Sequence, residues 1–321
     1  MIRFFVEYRL PWLIGAPLLV LILNLLNYST GVYFIPTNIN LGLFGFLNIY
    51  PTFSVLFSSF LILFNGFTIS RIFNENDFFD KNIYSTGFLY IILMSFFHSF
   101  YYLNSFLIVQ SLLIIVIREV LQIQRQEFVQ KHIFNGAFLL GISVCIHPPT
   151  ALYILAFWLA VWSIKSFETK DILLVSTGIF LPFLYVGSYY FLNDKIINID
   201  FFGKTSDWKI VLFDMMFVIV NTLFLLMLGF VSYLSNSIKS SPRLRKMMLS
   251  LILFFIVGVA LGLYDFIFFF QMERFILILI AMPFFVNYGF INRMYSLFVG
   301  ILFIMALGYS FIKFFTILPH S

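Results

Sequence analysis

Charged residues are scarce in this sequence, since Asp, Glu, Lys and Arg make up only 10% of its 321 residues. A typical soluble domain has about 25% charged and about 45–50% apolar residues. This chain is instead 62% hydrophobic, with a mean hydropathy of +1.02. A soluble fold of this length cannot hide so much apolar surface from water. The composition therefore excludes a soluble globular protein and indicates an integral membrane protein.

Cysteine is nearly absent as well. The single cysteine, Cys145, excludes an intramolecular disulfide, and no Cys/His spacing typical of zinc sites occurs. The polar segments contain no glycine-rich loop that could cradle a phosphate. We expect no metal, no cofactor and no nucleic-acid partner.

Long apolar runs make up most of the sequence. A membrane-spanning helix needs about 20 apolar residues, and breaking the chain at its polar clusters gives eleven candidates. They are 10–27, 51–69, 84–100, 104–120, 133–147, 150–165, 172–192, 210–235, 247–265, 274–290 and 294–316. No A-x-A-like cleavage site follows the first segment, so we expect it to be retained as a helix. The sequence predicts one all-α polytopic domain over 1–321, a bundle of about 11 transmembrane helices.

The distribution of Lys and Arg predicts the orientation of this bundle. If the N-terminus is cytoplasmic and the segments alternate, 14 of the 19 Lys and Arg residues fall on the cytoplasmic side and 5 on the outer side. Short cytoplasmic loops carry an excess of these residues in membrane proteins. We therefore predict a multi-pass protein of the bacterial cytoplasmic (inner) membrane, with a cytoplasmic N-terminus and a periplasmic C-terminus.

The segments 133–147 and 150–165 are short, and Pro148 and Pro149 separate them. The prolines lack amide donors and predict a break in the helix. In one interpretation, the break is a tight outer turn with some thinning of the bilayer. In the other, the tip of the hairpin lies below the outer surface and His147 lines a cavity.

The stretch LYDFIFFFQMERFILILIAMPFF (263–285) places two acids and an arginine between apolar runs. The predicted orientation puts Asp265, Glu273 and Arg274 at the outer face. One interpretation is structural: Glu273 and Arg274 begin the next helix and anchor it among lipid headgroups. The other is a polar site in the outer leaflet.

Further polar groups are predicted at the same level, after the third and fifth segments and at the start of the eighth. Carboxylates and imidazoles can act as general bases, and arginine pairs with phosphate through its planar fork. The candidate catalytic residues are Asp265, Asp214 and His147. The candidate substrate-binding residues are Arg274, Glu273, His98, Tyr101 and Tyr102.

Two groups of proteins resemble parts of this sequence. The runs IFNGAFLLGISVCIHPPTALYILAF (133–157) and LPFLYVGSYYFLND (181–194) resemble an uncharacterised family of multi-pass membrane proteins from Bacteroidota. The run ERFILILIAMPFF (273–285) resembles a segment near the end of GT-C-type membrane glycosyltransferases, which use polyprenyl-phosphate-linked sugars at the outer membrane face. Those enzymes typically have a catalytic acid in the first outer loop, but the loop 27–48 contains no Asp or Glu. A base would then come from Asp265 or Asp214, or the scaffold is catalytically silent.

Three functions follow as hypotheses. The first is a GT-C-like protein that acts at the outer face on a polyprenyl-phosphate-linked glycan, either as a glycosyltransferase that processes it or as a protein that binds it. The second is a non-enzymatic subunit of a secretion, motility or glycan-export complex, with other inner-membrane proteins as partners. The third is a transporter, although the segments lack the buried acid pairs of ion-coupled transporters. A deep outer cavity would favour the first, and a solidly packed interior the second.

Two other polar features accompany these segments. The basic run SIKSSPRLRK (237–246) is interpreted as the positive-inside signal, with binding of anionic lipid as the alternative. Isolated amides within the apolar segments are expected to form hydrogen bonds between helices. They are Asn24, Asn65, Gln110, Asn135 and Asn221.

Overall fold

The computed structural model describes ten stretches of the chain. They are 9–33, 42–44, 50–79, 82–124, 127–165, 168–194, 212–237, 240–269, 272–291 and 295–316. Within these stretches the protein is all-helical and has no strand. Its α-helices are α1 (Arg9–Thr30), α2 (Pro51–Glu75), α3 (Ser85–Met94), α4 (Ser105–Ile123), α5 (Val129–Ile146), α6 (Leu152–Ile164), α7 (Thr169–Leu192), α8 (Leu212–Ser237), α9 (Pro242–Phe269), α10 (Met282–Ile291) and α11 (Ser296–Thr316). The 3₁₀ helices are Gly42–Phe44, His98–Phe100, Pro148–Ala151 and Glu273–Ile280.

Eight of the described helices are long and apolar enough to cross a membrane: α1, α2, α4, α5, α7, α8, α9 and α11. The 3₁₀ helix Glu273–Ile280 and α10 would form a ninth crossing if the pair counts as one span, although it bends by 59°. The prediction of an all-helical architecture is therefore confirmed for the described residues, and these apolar helices are compatible with a multi-pass membrane protein. The number of eleven crossings and the orientation of the termini stay predictions.

The third predicted segment, 84–100, is wrong as a continuous helix. Helix α3 has ten residues, which extend about 15 Å against a hydrocarbon core of about 30 Å, and all ten are buried. The helix ends at Met94, and the chain then turns through the 3₁₀ helix His98–Phe100, which donates hydrogen bonds to the carboxylate of Glu273. A contact from a distant part of the chain thus shapes this turn.

The segment after α9 also differs from the prediction. Helix α9 continues to Phe269 instead of ending near 265, and residues 273–280 form a 3₁₀ helix rather than the first turns of an α-helix. Two glycines of α9 let this 3₁₀ helix approach closely. A Cβ at Gly262 would lie 2.6 Å from the ring of Phe275, and one at Gly258 would lie 3.1 Å from the carbonyl oxygen of Leu277. Small residues four positions apart are a common means of close packing between membrane helices.

Three helices connect two polar regions at opposite ends of the fold. Helix α9 runs from Pro242 to Phe269, and the neighbouring helices α4 and α5 run between the same two ends of the fold. We call the end near 98–105, 147 and 265–274 the site end. We call the other end, near 123–129, 164–168 and 242–246, the basic end. From 243 to 265 along α9, the two ends lie about 33 Å apart at 1.5 Å per residue.

The predicted hydrogen bonds between segments are confirmed for four of the five amides. Asn24 donates to Ser59, at 3.3 Å, and Asn221 donates to the carbonyl of Leu302, at 3.4 Å. A chain of bonds from Asn65 and Gln110 crosses the core. Asn65 donates to the hydroxyl of Tyr90, which donates to Gln110 Oε1, and Gln110 Nε2 donates to the carbonyl of Ile276. The bond expected for Asn135 stays a prediction.

Candidate functional site

Arg274 is held by side chains from two other parts of the chain. Its Nη1 donates to Asp265 Oδ1 at 3.0 Å, and its backbone N–H donates to Asp265 Oδ2 at 3.4 Å. Its Nε lies 3.4 Å from His147 Nε2, and its Cζ lies 5.8 Å from the centre of the Tyr264 ring. Both charged side chains are buried, with Arg274 1% and Asp265 0% exposed. The ion pair therefore joins α9, the 3₁₀ helix that follows it and the turn between α5 and α6.

The break at Pro148 and Pro149 fixes the position of His147. A residue before proline is driven towards extended backbone, and His147 has φ −140° and ψ 96°. The predicted break is confirmed, because α5 ends at Ile146 and a 3₁₀ turn follows. The His147 ring packs edge-on against Phe106, with ring centres 4.7 Å apart. Burial lowers the pKa of His147 below its ordinary value, and the nearby charge of Arg274 lowers that pKa further. A neutral imidazole can accept a hydrogen bond from the Arg274 Nε–H at its Nε2.

Glu273 shapes the turn between α3 and α4. Its Oε1 accepts the backbone N–H of His98 at 3.2 Å, and its Oε2 accepts the hydroxyl of Ser99 at 3.1 Å. Asn104 also donates to the Ser99 hydroxyl, and its Oδ1 caps α4 by accepting the N–H of Leu107 at 2.9 Å. A single carboxylate thus connects the 3₁₀ helix of residues 273–280 to the N-terminal end of α4.

Lys313 of α11 brings a second buried cation to the site end. It is 1% exposed and donates a hydrogen bond to the carbonyl of Ser95. Four aromatic ring centres lie 4.9–5.3 Å from its Nζ, those of Tyr33, Phe96, Tyr101 and Phe314. A cation over an aromatic face is attracted by the ring quadrupole. The lysine therefore lies in an aromatic box that was not part of the predicted site.

Tyr33 connects this box to the rest of the polar groups. Its ring stacks on Tyr101 at 4.2 Å and meets the edge of His98 at 5.0 Å. The Tyr101 hydroxyl donates to the Ser95 carbonyl at 3.0 Å, and the ring of Tyr102 lies 6.4 Å from that of His98. Burial lowers the pKa of His98, and the charge of Lys313 lowers that pKa further.

The structure brings seven of the eight predicted site residues into one connected set. We call it the buried polar cluster, and it comprises His98, Tyr101, Tyr102, His147, Asp265, Glu273 and Arg274, joined by Lys313. The eighth, Asp214, belongs to the first turn of α8, and its side chain lies outside the described residues. The roles assigned to all eight stay predictions.

Glu273 and Arg274 lie in a different environment from the lipid headgroups that one interpretation of the sequence predicted for them. Glu273 and Arg274 do not anchor a helix among headgroups, because they are only 4% and 1% exposed. They are buried against α9, the α3–α4 turn and the α5–α6 turn, where hydrogen bonds compensate the loss of water. Lys313 was missed because it was counted only as one of the five Lys and Arg residues on the predicted outer side. A lysine inside the apolar run SLFVGILFIMALGYSFIKFFT is itself a signal for a functional position.

The cluster offers donors, acceptors and cations, but no metal centre. Among the described residues no group of three or more His, Cys, Asp or Glu side chains could hold a metal ion. The guanidinium, the ammonium and the imidazoles are chemical types that bind phosphate or sugar oxygens. In the structure Arg274 is bonded to Asp265 and His147, and Lys313 to the Ser95 carbonyl.

No protein-family model, curated protein or solved structure matches this chain.

Proposed function

We propose that this protein binds a polyprenyl-phosphate-linked glycan at its site end, and that it holds this lipid rather than transferring its sugar. The observation that supports binding is the convergence of Arg274, Lys313, His98 and His147 in one buried cluster. Arginine binds phosphate through two parallel hydrogen bonds, and charge interactions gain strength away from water. In the proposed orientation this end faces the periplasm of the bacterial inner membrane.

Holding rather than transfer is supported by the two buried acids. Asp265 accepts two hydrogen bonds from Arg274, and Glu273 accepts bonds from His98 and Ser99. A general base must reach the proton that it removes, but these carboxylates are oriented towards groups of the protein itself. The first outer loop of the sequence also lacks an acid, unlike the loop of GT-C-type glycosyltransferases. A glycosyltransferase activity of this GT-C-like protein would have to use Asp214 or a rearranged Asp265.

The test is thermal unfolding of the protein in phosphatidylcholine nanodiscs, with and without undecaprenyl phosphate. A ligand that binds only the folded state raises Tm. We expect a rise for the wild type and a much smaller rise for Arg274→Lys, because lysine keeps the charge but loses the planar fork.

The matched control is Arg71→Lys, the same exchange at an exposed position of α2 where Arg71 pairs with Glu75. It should keep the full rise. The proposal fails if the wild type shows no rise, or if Arg274→Lys rises as much as Arg71→Lys.

A non-enzymatic subunit of an envelope complex is the second candidate, and the burial of Arg274 favours it. The ion pair and Glu273 connect α9 and residues 273–280 to the α3–α4 and α5–α6 turns. Charged groups that only stabilise the fold would make such connections. In that case undecaprenyl phosphate should have no effect on Tm, and affinity purification should instead recover a stable membrane partner.

A further inference from the structure

The basic end contains a cavity that the buried polar cluster does not reach. Its volume is about 540 Å³, within the usual range of about 300–1,000 Å³ for ligand sites. The ends of α4, α5, α6, α7 and α9 surround it, and three of its lining residues are cationic: Lys165, Arg243 and Lys246. The cavity is therefore an open cleft whose lining carries three cations and one acid.

Two of the three cations are held in place by the protein. Lys165 pairs with the buried carboxylate of Asp171 at 2.9 Å, and Lys246 donates to the carbonyl of Ile164 at 3.3 Å. Glu168 is the one acid of the lining, and it takes part in a capping box with Asp171 at the start of α7. Its carboxylate accepts a helix N–H there, which moderates its effect on an anion in the cavity.

An unsatisfied amide lies in the same lining. Both Nε2 and Oε1 of Gln124, the residue that follows α4, are buried, and within the described part of the chain neither has a hydrogen-bond partner. Buried polar atoms without partners are uncommon in folded proteins and are costly. A rotation of this side chain towards the cavity would let its Nε2 donate to an acceptor oxygen of a ligand.

We propose that this cavity binds a phosphate group, with Lys165, Arg243 and Lys246 as cations and Gln124 as a neutral hydrogen-bonding group. Basic pockets between helix ends at the cytoplasmic level of membrane proteins accept lipid phosphates. Apolar side chains of Ile123, Val129 and Ile164 in the same lining suit the glycerol and acyl region of a phospholipid. This site is separate from the proposed function at the site end.

The source of the phosphate is decided by thermal unfolding in two settings. In the first, nanodiscs of phosphatidylcholine alone are compared with nanodiscs that also contain phosphatidylglycerol. In the second, inorganic phosphate is added to phosphatidylcholine nanodiscs and compared with chloride at equal ionic strength. A rise in Tm with phosphatidylglycerol alone assigns the site to a lipid headgroup, and a rise with inorganic phosphate assigns it to a soluble phosphate.

Single substitutions locate the effect. Lys246→Gln, Arg243→Gln and Gln124→Leu should each weaken the binding of the active probe, by about ten-fold for a lost cation. Helix α2 contacts the α3–α4 turn near its start, where Ser58 donates to the Phe100 carbonyl, so Arg71 near its other end lies towards the basic end. Arg71→Gln removes one positive charge that is not part of the cavity lining, and it should leave binding unchanged. Gln124→Leu changes no charge, so its effect separates the cavity from general surface attraction. The proposal is overturned if neither probe raises Tm, or if Arg71→Gln weakens binding as much as Lys246→Gln.

Discussion

The two ends of this protein treat charge in opposite ways. At the site end Asp265, Glu273 and Arg274 are buried and bound to one another or to nearby turns. At the basic end the cations surround a cavity, and the Lys165 side chain remains 26% exposed. Buried charges are costly unless they are fully paired, whereas charges near water contribute little to stability. We therefore expect substitutions of the buried charges at the site end to affect folding strongly, and substitutions of Arg243 and Lys246 at the basic end to affect mainly binding. Lys165, which pairs with the buried Asp171, belongs with the first group.

The largest expected effect comes from breaking the buried ion pair on one side only. Arg274→Met removes the partner of Asp265 and leaves a carboxylate buried without its cation. Such a change costs about 3–5 kcal/mol. Unfolding in detergent should show this loss, and a destabilisation of less than about 1 kcal/mol would mean that the pair does not hold α9 to residues 273–280.

The next effect concerns the close packing beside the cluster. Gly262→Ala places a Cβ 2.6 Å from the ring of Phe275, and overpacking of this kind costs about 1–3 kcal/mol. Gly308→Ala in α11 is the control, since an added Cβ there has nothing within 4 Å. Thermal unfolding should separate the two variants. Equal stability would show that the 3₁₀ helix can move away from α9 without cost.

A smaller effect is expected from the protonation of His147. Its pKa in the folded state is lower than the ordinary value of 6.5, so the unfolded chain binds the proton more readily. Stability is therefore present above pH 6.5 and is lost as the pH falls below it, by at most about 1.4 kcal/mol per pH unit for one group.

His147→Gln keeps an acceptor near Arg274 and removes this titration. The slope of stability against pH below 6.5 should become shallower in this variant, with the remaining slope including the contribution of His98. An identical slope in wild type and variant would show that His147 is not held neutral by the fold.

The smallest effect is expected at the basic end. Arg71→Gln removes one side of an ion pair whose arginine side chain is 65% exposed. Exposed pairs contribute about 0–1 kcal/mol, so the free energy of unfolding should change by no more than about 0.5 kcal/mol. A loss comparable with that of Arg274→Met would remove the contrast between the two ends.

The sequence predicted the parts of this fold that depend on local composition. For nine of the eleven predicted segments, all except 84–100 and 274–290, the apolar run located a helix whose ends lie within six residues of the prediction. Pro148 and Pro149 predicted the end of α5. Polar residues at the ends of the predicted segments indicated which side chains lie at the same depth in the membrane. That depth follows from the number of predicted membrane crossings that precede a residue. These features depend on hydropathy and on the lost amide donors of proline, and both can be seen in a few neighbouring residues.

The parts that were missed depend on contacts between distant residues. The shortening of α3 to Ser85–Met94 is accompanied by hydrogen bonds that the following turn donates to Glu273, which no local pattern encodes. The 3₁₀ geometry of residues 273–280 accompanies close contact with Gly258 and Gly262. The aromatic box around Lys313 combines residues more than 200 positions apart, and hydropathy alone gives no signal for it.

The most direct test of the proposed binding site replaces both charges of the buried pair. The double variant Asp265→Leu/Arg274→Met leaves no unpaired charge, and apolar replacement of a buried ion pair often preserves or increases stability. The measurement is the change in Tm of this variant in phosphatidylcholine nanodiscs when undecaprenyl phosphate is added. If Arg274 binds the lipid phosphate, we expect this variant to fold with a Tm near that of the wild type and to show no rise in Tm with the lipid. A rise in Tm equal to that of the wild type would contradict the proposed binding site, because the lipid would then bind without Arg274 and Asp265.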